Sequence, residues 1–247
     1  MKAHVVIVIL IVALVIFSGY AALFVAPDEA TMHEVQRIFY FHVASWTAMF
    51  VAFSVGLVGN ILYLRTRQPK WDWLGVSGAE AGVACCTVGL VTGPLWAKPV
   101  WGIWWTWDAR LTTTFLLWLL YISYLLLRGL IEDPARRATL SAVFGIFAFL
   151  DVPLVYVSNR LWRTQHPQPV IFGGPNSGLD PTMAKVLMTS MAAILAVTIL
   201  LLAQRYRLER LRHEVDELRV AVEERTDEPQ RPLAPIIAAA DYSKGRA

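Results

Sequence analysis

Six stretches of roughly 20 mostly apolar residues constrain this chain more than any other feature. They run from His4 to Val25, Val43 to Leu64, Ala79 to Trp96, Thr112 to Leu130, Leu140 to Ser158 and Thr182 to Ala203. Helices of that length match the hydrocarbon core of a bilayer, whereas a soluble helix needs only an apolar stripe. Composition agrees, with 56% hydrophobic and 17% charged residues. The expected fold class is therefore all-α: a polytopic membrane protein of about six transmembrane helices, with lipid as its surroundings. The first stretch begins like a signal peptide, Met1-Lys2-Ala3-His4, but its apolar run is too long for one, so it reads as a retained helix. The third is the weakest, because it carries Gly82, Gly89, Gly93 and Pro94 and has Glu80 near its start. Glu80 reads as a helix-start residue.

Six spans place both termini on one side, and the Lys/Arg bias of the loops says which. One set of loops carries Arg65, Arg67, Lys70, Arg128, Arg136, Arg137, Arg205, Arg207, Arg210 and Arg212. The other carries only Arg37, Lys98, Arg110, Arg160 and Arg163. The first set is expected in the cytoplasm, leaving three segments outside: Ala26 to His42, Ala97 to Leu111 and Asn159 to Pro181. The net charge of +3 is small and its cations sit at helix ends, which argues against a nucleic-acid partner. Cys85 and Cys86 are adjacent in an apolar run, so they form no CxxC motif and read as small packing residues.

Beyond the last span the composition turns charged. A membrane domain over residues 4–205 is expected, followed by a charged helix and disordered tail over 206–247. Leu208, Leu211, Val215, Leu218 and Val222 form a short heptad seam, about two heptads long.

The most informative segment runs from Trp96 to Thr112 and holds five of the ten tryptophans. It is expected to form an interfacial Trp-rich helix on the extracytoplasmic side. On such a helix Trp101, Trp104, Trp105, Asp108 and Thr112 share one face, while Trp107 and Arg110 point elsewhere. Two readings stand side by side. Indoles collect at the headgroup level of any membrane protein; equally, their broad faces can support a large flat ligand whose carboxylates meet Lys98 or Arg110. Two histidines favour the ligand platform. His42, at the outer end of the second span, and His166, in the last outer loop, belong to the same side as the tryptophans, and together they suit the axial positions of a haem iron. His33 competes with His42 for that role, while His4 and His213 fall on the cytoplasmic side. Arg37, Arg160 and Arg163 face the outer compartment, where they pair with ligand carboxylates or lipid headgroups.

At these residues the chain resembles the haem-handling proteins of cytochrome c maturation that carry a tryptophan-rich "WWD" domain. The pattern WGxxWxWDxRLT runs unbroken from Trp101 to Thr112, led in by Leu95-Trp96-Ala97-Lys98-Pro99. Length, six spans and two outward histidines make the resemblance strongest to the CcmC type, haem exporter protein C, over roughly residues 5 to 205. Longer relatives, the CcmF and CcsA types, place extra histidines within the membrane. The sequence departs from the family pattern in lacking a proline just after His42 and in having Gln165 and Pro167 around His166.

The resemblance implies haem b, transiently bound at the periplasmic face of a bacterial inner membrane. His42 and His166 are then axial ligands, and Trp101, Trp104, Trp105, Trp107 and Asp108 the platform. Arg110, Lys98, Arg37 and Arg163 are the candidate propionate contacts. The resemblance also implies delivery to the haem chaperone CcmE, with CcmD and the ABC transporter subunits CcmA and CcmB as partners. No triad, zinc motif or phosphate loop marks an enzyme, so any part in covalent haem attachment to the chaperone arises from ligand positioning. The alternative is an assembly subunit whose Trp segment binds partner helices and no haem.

Overall fold

A computed structural model describes residues 2–166 and 179–227. The chain is all-α: α1 (Lys2–Tyr20), α2 (Ile38–Thr66), α3 (Pro69–Trp101), α4 (Ala109–Leu130), α5 (Pro134–Phe149), α6 (Asp151–Leu161) and α7 (Pro181–Asp227), with no strand among the described residues. A π-helical turn, Ala21–Val25, extends α1, and a 3-10 turn, Glu34–Arg37, leads into α2. Among the described residues, six segments are long and apolar enough to cross a membrane: Ala3–Val25, Glu34–Thr66, Pro69–Trp101, Ala109–Leu130, Pro134–Leu161 and Pro181–Glu223. Each contains one expected span. Most run further, because helical hydrogen bonding continues past the end of the apolar run. A first compact unit spans Met1–Glu209, and a second begins at Arg210.

The fifth span is a pair of helices rather than one. Pro153 lacks an amide hydrogen and its ring crowds the carbonyl four residues back. Accordingly α5 ends at Phe149, the Leu150 N–H bonds to Phe147 O at 3.1 Å, and α6 starts afresh at Asp151.

The most extensive helix pair is α2 with α3. Small residues make it possible: Gly56 and Gly59 of α2 face Gly75 and Gly78 of α3 so closely that an added methyl at Gly59 would meet the Trp71 carbonyl at 2.8 Å. In lipid, where the apolar surroundings offer little drive to associate, such close backbone contact holds helices together. Around this seam the buried core gathers Met49, Phe53, Val76, Cys86, Leu117, Tyr121 and Tyr124. The Phe53 and Tyr121 rings stack at 3.6 Å and 7°. Both cysteines are buried and free, as small packing residues should be, with Cys85 Sγ 3.4 Å from Thr198 Oγ1.

Charged residues also enter the bundle. Arg128 of α4 makes a forked pair with Asp72 of α3, at 2.6 and 2.8 Å. Glu80 departs from its expected role. It lies inside α3 rather than at a helix start, and pairs with Arg205 of α7, which also reaches Glu209 at 3.0 Å. The apolar run begins near Glu80, but the helix begins at Pro69, where proline suits a first turn.

Candidate functional site

The Trp-rich stretch is not a separate interfacial helix. α3 carries the pattern only as far as Trp101, where Gly102 adopts the left-handed conformation at φ 76° and ends it. Lys98 secures that end by donating from Nζ to Gly102 O at 2.9 Å, with its ammonium 6.0 Å from the Trp104 ring centre. Residues 103–108 then run without regular helix to the N-cap of α4. The helical face expected to join Trp101, Trp104, Trp105 and Asp108 therefore does not exist, because a single Gly redirects the chain.

Asp108 takes up that cap and does more. Its Oδ1 accepts from the Leu111 N–H at 3.0 Å, and its Oδ2 accepts from the Thr106 and Thr164 hydroxyls at 3.2 and 2.7 Å. Thr164 Oγ1 in turn accepts the His166 backbone N–H at 3.1 Å. One carboxylate thus fastens the loop that carries His166 to the segment that carries the tryptophans. Partial burial raises its pKa, but the Leu111 amide and the two hydroxyls outweigh burial and hold it below the ordinary 3.8.

A cavity of about 380 Å³ opens among the start of α2, the end of α3, the start of α4, the loop before His166 and the start of α7. His42, His166, Trp96, Trp101, Trp104, Trp105 and Arg110 all line it. The histidines differ in setting. His42 is 6% exposed and lies edge-on to Trp96, with ring centres 5.8 Å apart. His166 is half-buried and lies edge-on to Trp101 at 6.4 Å. His42 Nε2 accepts from the Trp46 indole N–H at 2.9 Å, and its Nδ1 lies 2.9 Å from Thr92 Oγ1. An indole nitrogen only donates, so Nε2 carries a lone pair and the ring is neutral, with its hydrogen on Nδ1.

Four buried polar atoms on residues lining the cavity have no hydrogen-bond partner among the described residues: Trp96 Nε1, Trp105 Nε1, Arg110 Nη1 and Gln36 Oε1. Three are donors. Buried donors are nearly always satisfied, and three left open around one cavity suit an acidic ligand. The neighbouring residues divide differently from their expected roles. Arg110, placed off the indole face by helical geometry, lines the cavity. Trp107 is 72% exposed and lies outside it, packed against Trp105 and Phe115. Lys98, Arg37, Arg163 and His33 do not line it either. Arg37 is tied to Leu23 O and to Asp28 at 3.0 Å.

The profile of the family described as Heme exporter protein C matches residues 1–221. This chain belongs to that family. Heme exporter protein C of Bradyrhizobium diazoefficiens is 30% identical over 79% of this chain and 72% of its own length. The protein of the same name from Escherichia coli K12 is also 30% identical, over 78% and 80%. A putative cytochrome c biosynthesis ccmC-like mitochondrial protein of Arabidopsis thaliana is 29% identical over 76% and 71%. In this chain, sequence reasoning missed Trp46, Thr92, Gln36 and Met183 as cavity or ligand-setting residues. Trp46 carried a signal, since it lies one helical turn from His42; Thr92, Gln36 and Met183 come from elements whose pairing no local pattern reveals.

Proposed function

We propose that this chain binds haem b in the cavity between α2, α3, α4 and α7 and hands it on during cytochrome c maturation. Family membership already gives a role in cytochrome c maturation and haem export, carried out by a multi-pass membrane protein. One observation carries the finer reading: His42 and His166 line one cavity together with three unpartnered donors on Trp96, Trp105 and Arg110. Its volume lies within the roughly 300 to 1,000 Å³ usual for ligand pockets. Neutral imidazole is the ligand form that iron requires, and His42 is held in that form by its two hydrogen bonds.

In this reading His42 and His166 are the axial ligands, Trp101, Trp104 and Trp105 give the macrocycle its apolar bed, and Arg110 meets a propionate. Asp108 positions His166 rather than touching the ligand. Bound haem supplies an iron with two axial sites and a carboxylate edge; everything else is orientation by the chain. The site faces the periplasm of an inner membrane and both termini face the cytoplasm, as the loop charges support. Residues 4–205 form the membrane domain and 206–247 a charged cytoplasmic helix and tail, of which 228–247 lie outside the described residues. The family resemblance supports CcmE as recipient, with CcmD, CcmA and CcmB as partners, and a role without catalysis of its own.

The test is a titration of the chain in mild detergent with haem and with haem dimethyl ester, in wild type and Arg110→Gln. The reading expects one haem per wild-type chain. Loss of one charge-assisted hydrogen bond should weaken haem binding about 10-fold or more in Arg110→Gln and leave the ester unaffected. No saturable binding in wild type would favour the other reading, a Trp segment that binds partner helices.

A further inference from the structure

We propose that Trp46 is a built-in competitor for the iron-binding nitrogen of His42, a positioning residue that keeps haem ligation at that histidine reversible. The proposal rests on the haem reading above and adds how the ligand is released.

The geometry is specific. The Trp46 indole N–H donates to His42 Nε2 at 2.9 Å, and an indole has no other hydrogen-bonding capacity. With Nδ1 protonated, Nε2 holds the one lone pair the imidazole can give a metal. Nδ1 itself is unavailable, because its hydrogen faces Thr92 Oγ1 at 2.9 Å while the Thr92 hydroxyl donates to Val88 O at 2.8 Å. Thr92 thus fixes the tautomer, and Trp46 occupies the nitrogen which that tautomer leaves open. Trp46 is able to do so because α3 presents Gly89 beneath its ring; a methyl group there would overlap the six-membered ring of the indole. Trp46 also lines the cavity itself, so the N–H it withdraws from His42 stays within reach of the incoming ligand.

Ligation is then an exchange. The Trp46 N–H···Nε2 hydrogen bond breaks and the Nε2 lone pair passes to iron; on release the lone pair returns to the indole. No proton and no electron changes place, and Nδ1–H remains on Thr92 throughout. The empty site is closed by a hydrogen bond, so haem binds more weakly and leaves faster than from an unopposed histidine. A transfer protein needs that property and a resident cofactor site does not.

Trp46→Phe keeps a ring over Gly89 and removes the donor. Haem loss from loaded protein into excess apomyoglobin should slow about 2- to 10-fold, the equivalent of one hydrogen bond, with an unchanged absorption spectrum. Gly89→Ala, which displaces the Trp46 ring, should slow it as well and serves if Trp46→Phe fails to fold. A second readout needs no haem: in 15N-histidine NMR of the ligand-free protein, His42 should show a protonated Nδ1 and a hydrogen-bonded Nε2. The Nε2 resonance alone should move in Trp46→Phe. Release rates equal to wild type in both variants, or an unmoved Nε2 resonance, would overturn the proposal. His42→Ala separates the two readings: a haem spectrum indifferent to it removes His42 as an iron ligand, whereas a spectrum lost in His42→Ala with unchanged release in Trp46→Phe removes only the role of Trp46.

Discussion

His42 and Asp108 show how the site depends on single atoms. Each is held by more than one partner, and in each case the partners come from different elements: Trp46 and Thr92 for His42, and Leu111, Thr106 and Thr164 for Asp108. Replacing Asp108 with Ala removes an N-cap, which costs about 0.5–2 kcal/mol, and also frees the Thr164 tie. Thermal melting should show the first effect and weaker haem binding the second, whereas Asp108→Asn should retain most of the cap. The carboxylate titrates below its ordinary 3.8 in the folded protein. Its stabilisation is therefore complete above the unfolded value and lost only as pH falls through the lower folded one. Proteolysis of the 162–166 loop should thus be independent of pH near neutrality and rise only in strong acid. The sequence made both outward histidines and Arg110 visible as candidates, through residue type and membrane level. It put Asp108 on the platform and gave no sign of its tie to Thr164, which is 56 residues away and brought near only by the fold.

At the scale of elements, the junction between α3 and α4 carries the largest departure from sequence expectation. Helical periodicity placed four platform residues on one face, yet Gly102 at φ 76° ends the helix before three of them. Gly102→Ala puts a side chain in a conformation it disfavours by about 1 kcal/mol or more, and should lower the melting temperature and loosen Trp104 and Trp105, read by their fluorescence. The spans themselves were legible, since apolar length alone fixes them. The polar contacts between spans were not. Asp72 and Arg128 lie near the expected loops, and nothing local says that they pair inside the bundle with side chains only 12% and 9% exposed. Asp72→Asn leaves Arg128 buried without its carboxylate and should cost about 3–5 kcal/mol, read as a lowered melting temperature in detergent.

For the whole molecule, six spans and the loop charges predict a cavity that opens outside the cytoplasm. Trp107 offers a direct check, because it is well exposed beside the cavity without lining it, while native Cys85 and Cys86 are buried. In intact cells, Trp107→Cys should react with a membrane-impermeant maleimide, and Arg67→Cys should react only after the membrane is opened. The central proposal is that two histidines distant in sequence, His42 on α2 and His166 before α7, meet at a single iron. The measurement that tests it most directly is the absorption spectrum of haem-loaded protein in wild type, His42→Ala and His166→Ala. A six-coordinate low-spin spectrum in wild type that is lost in each single variant is the predicted result. A spectrum unchanged by both substitutions would contradict the claim and place the iron on other ligands.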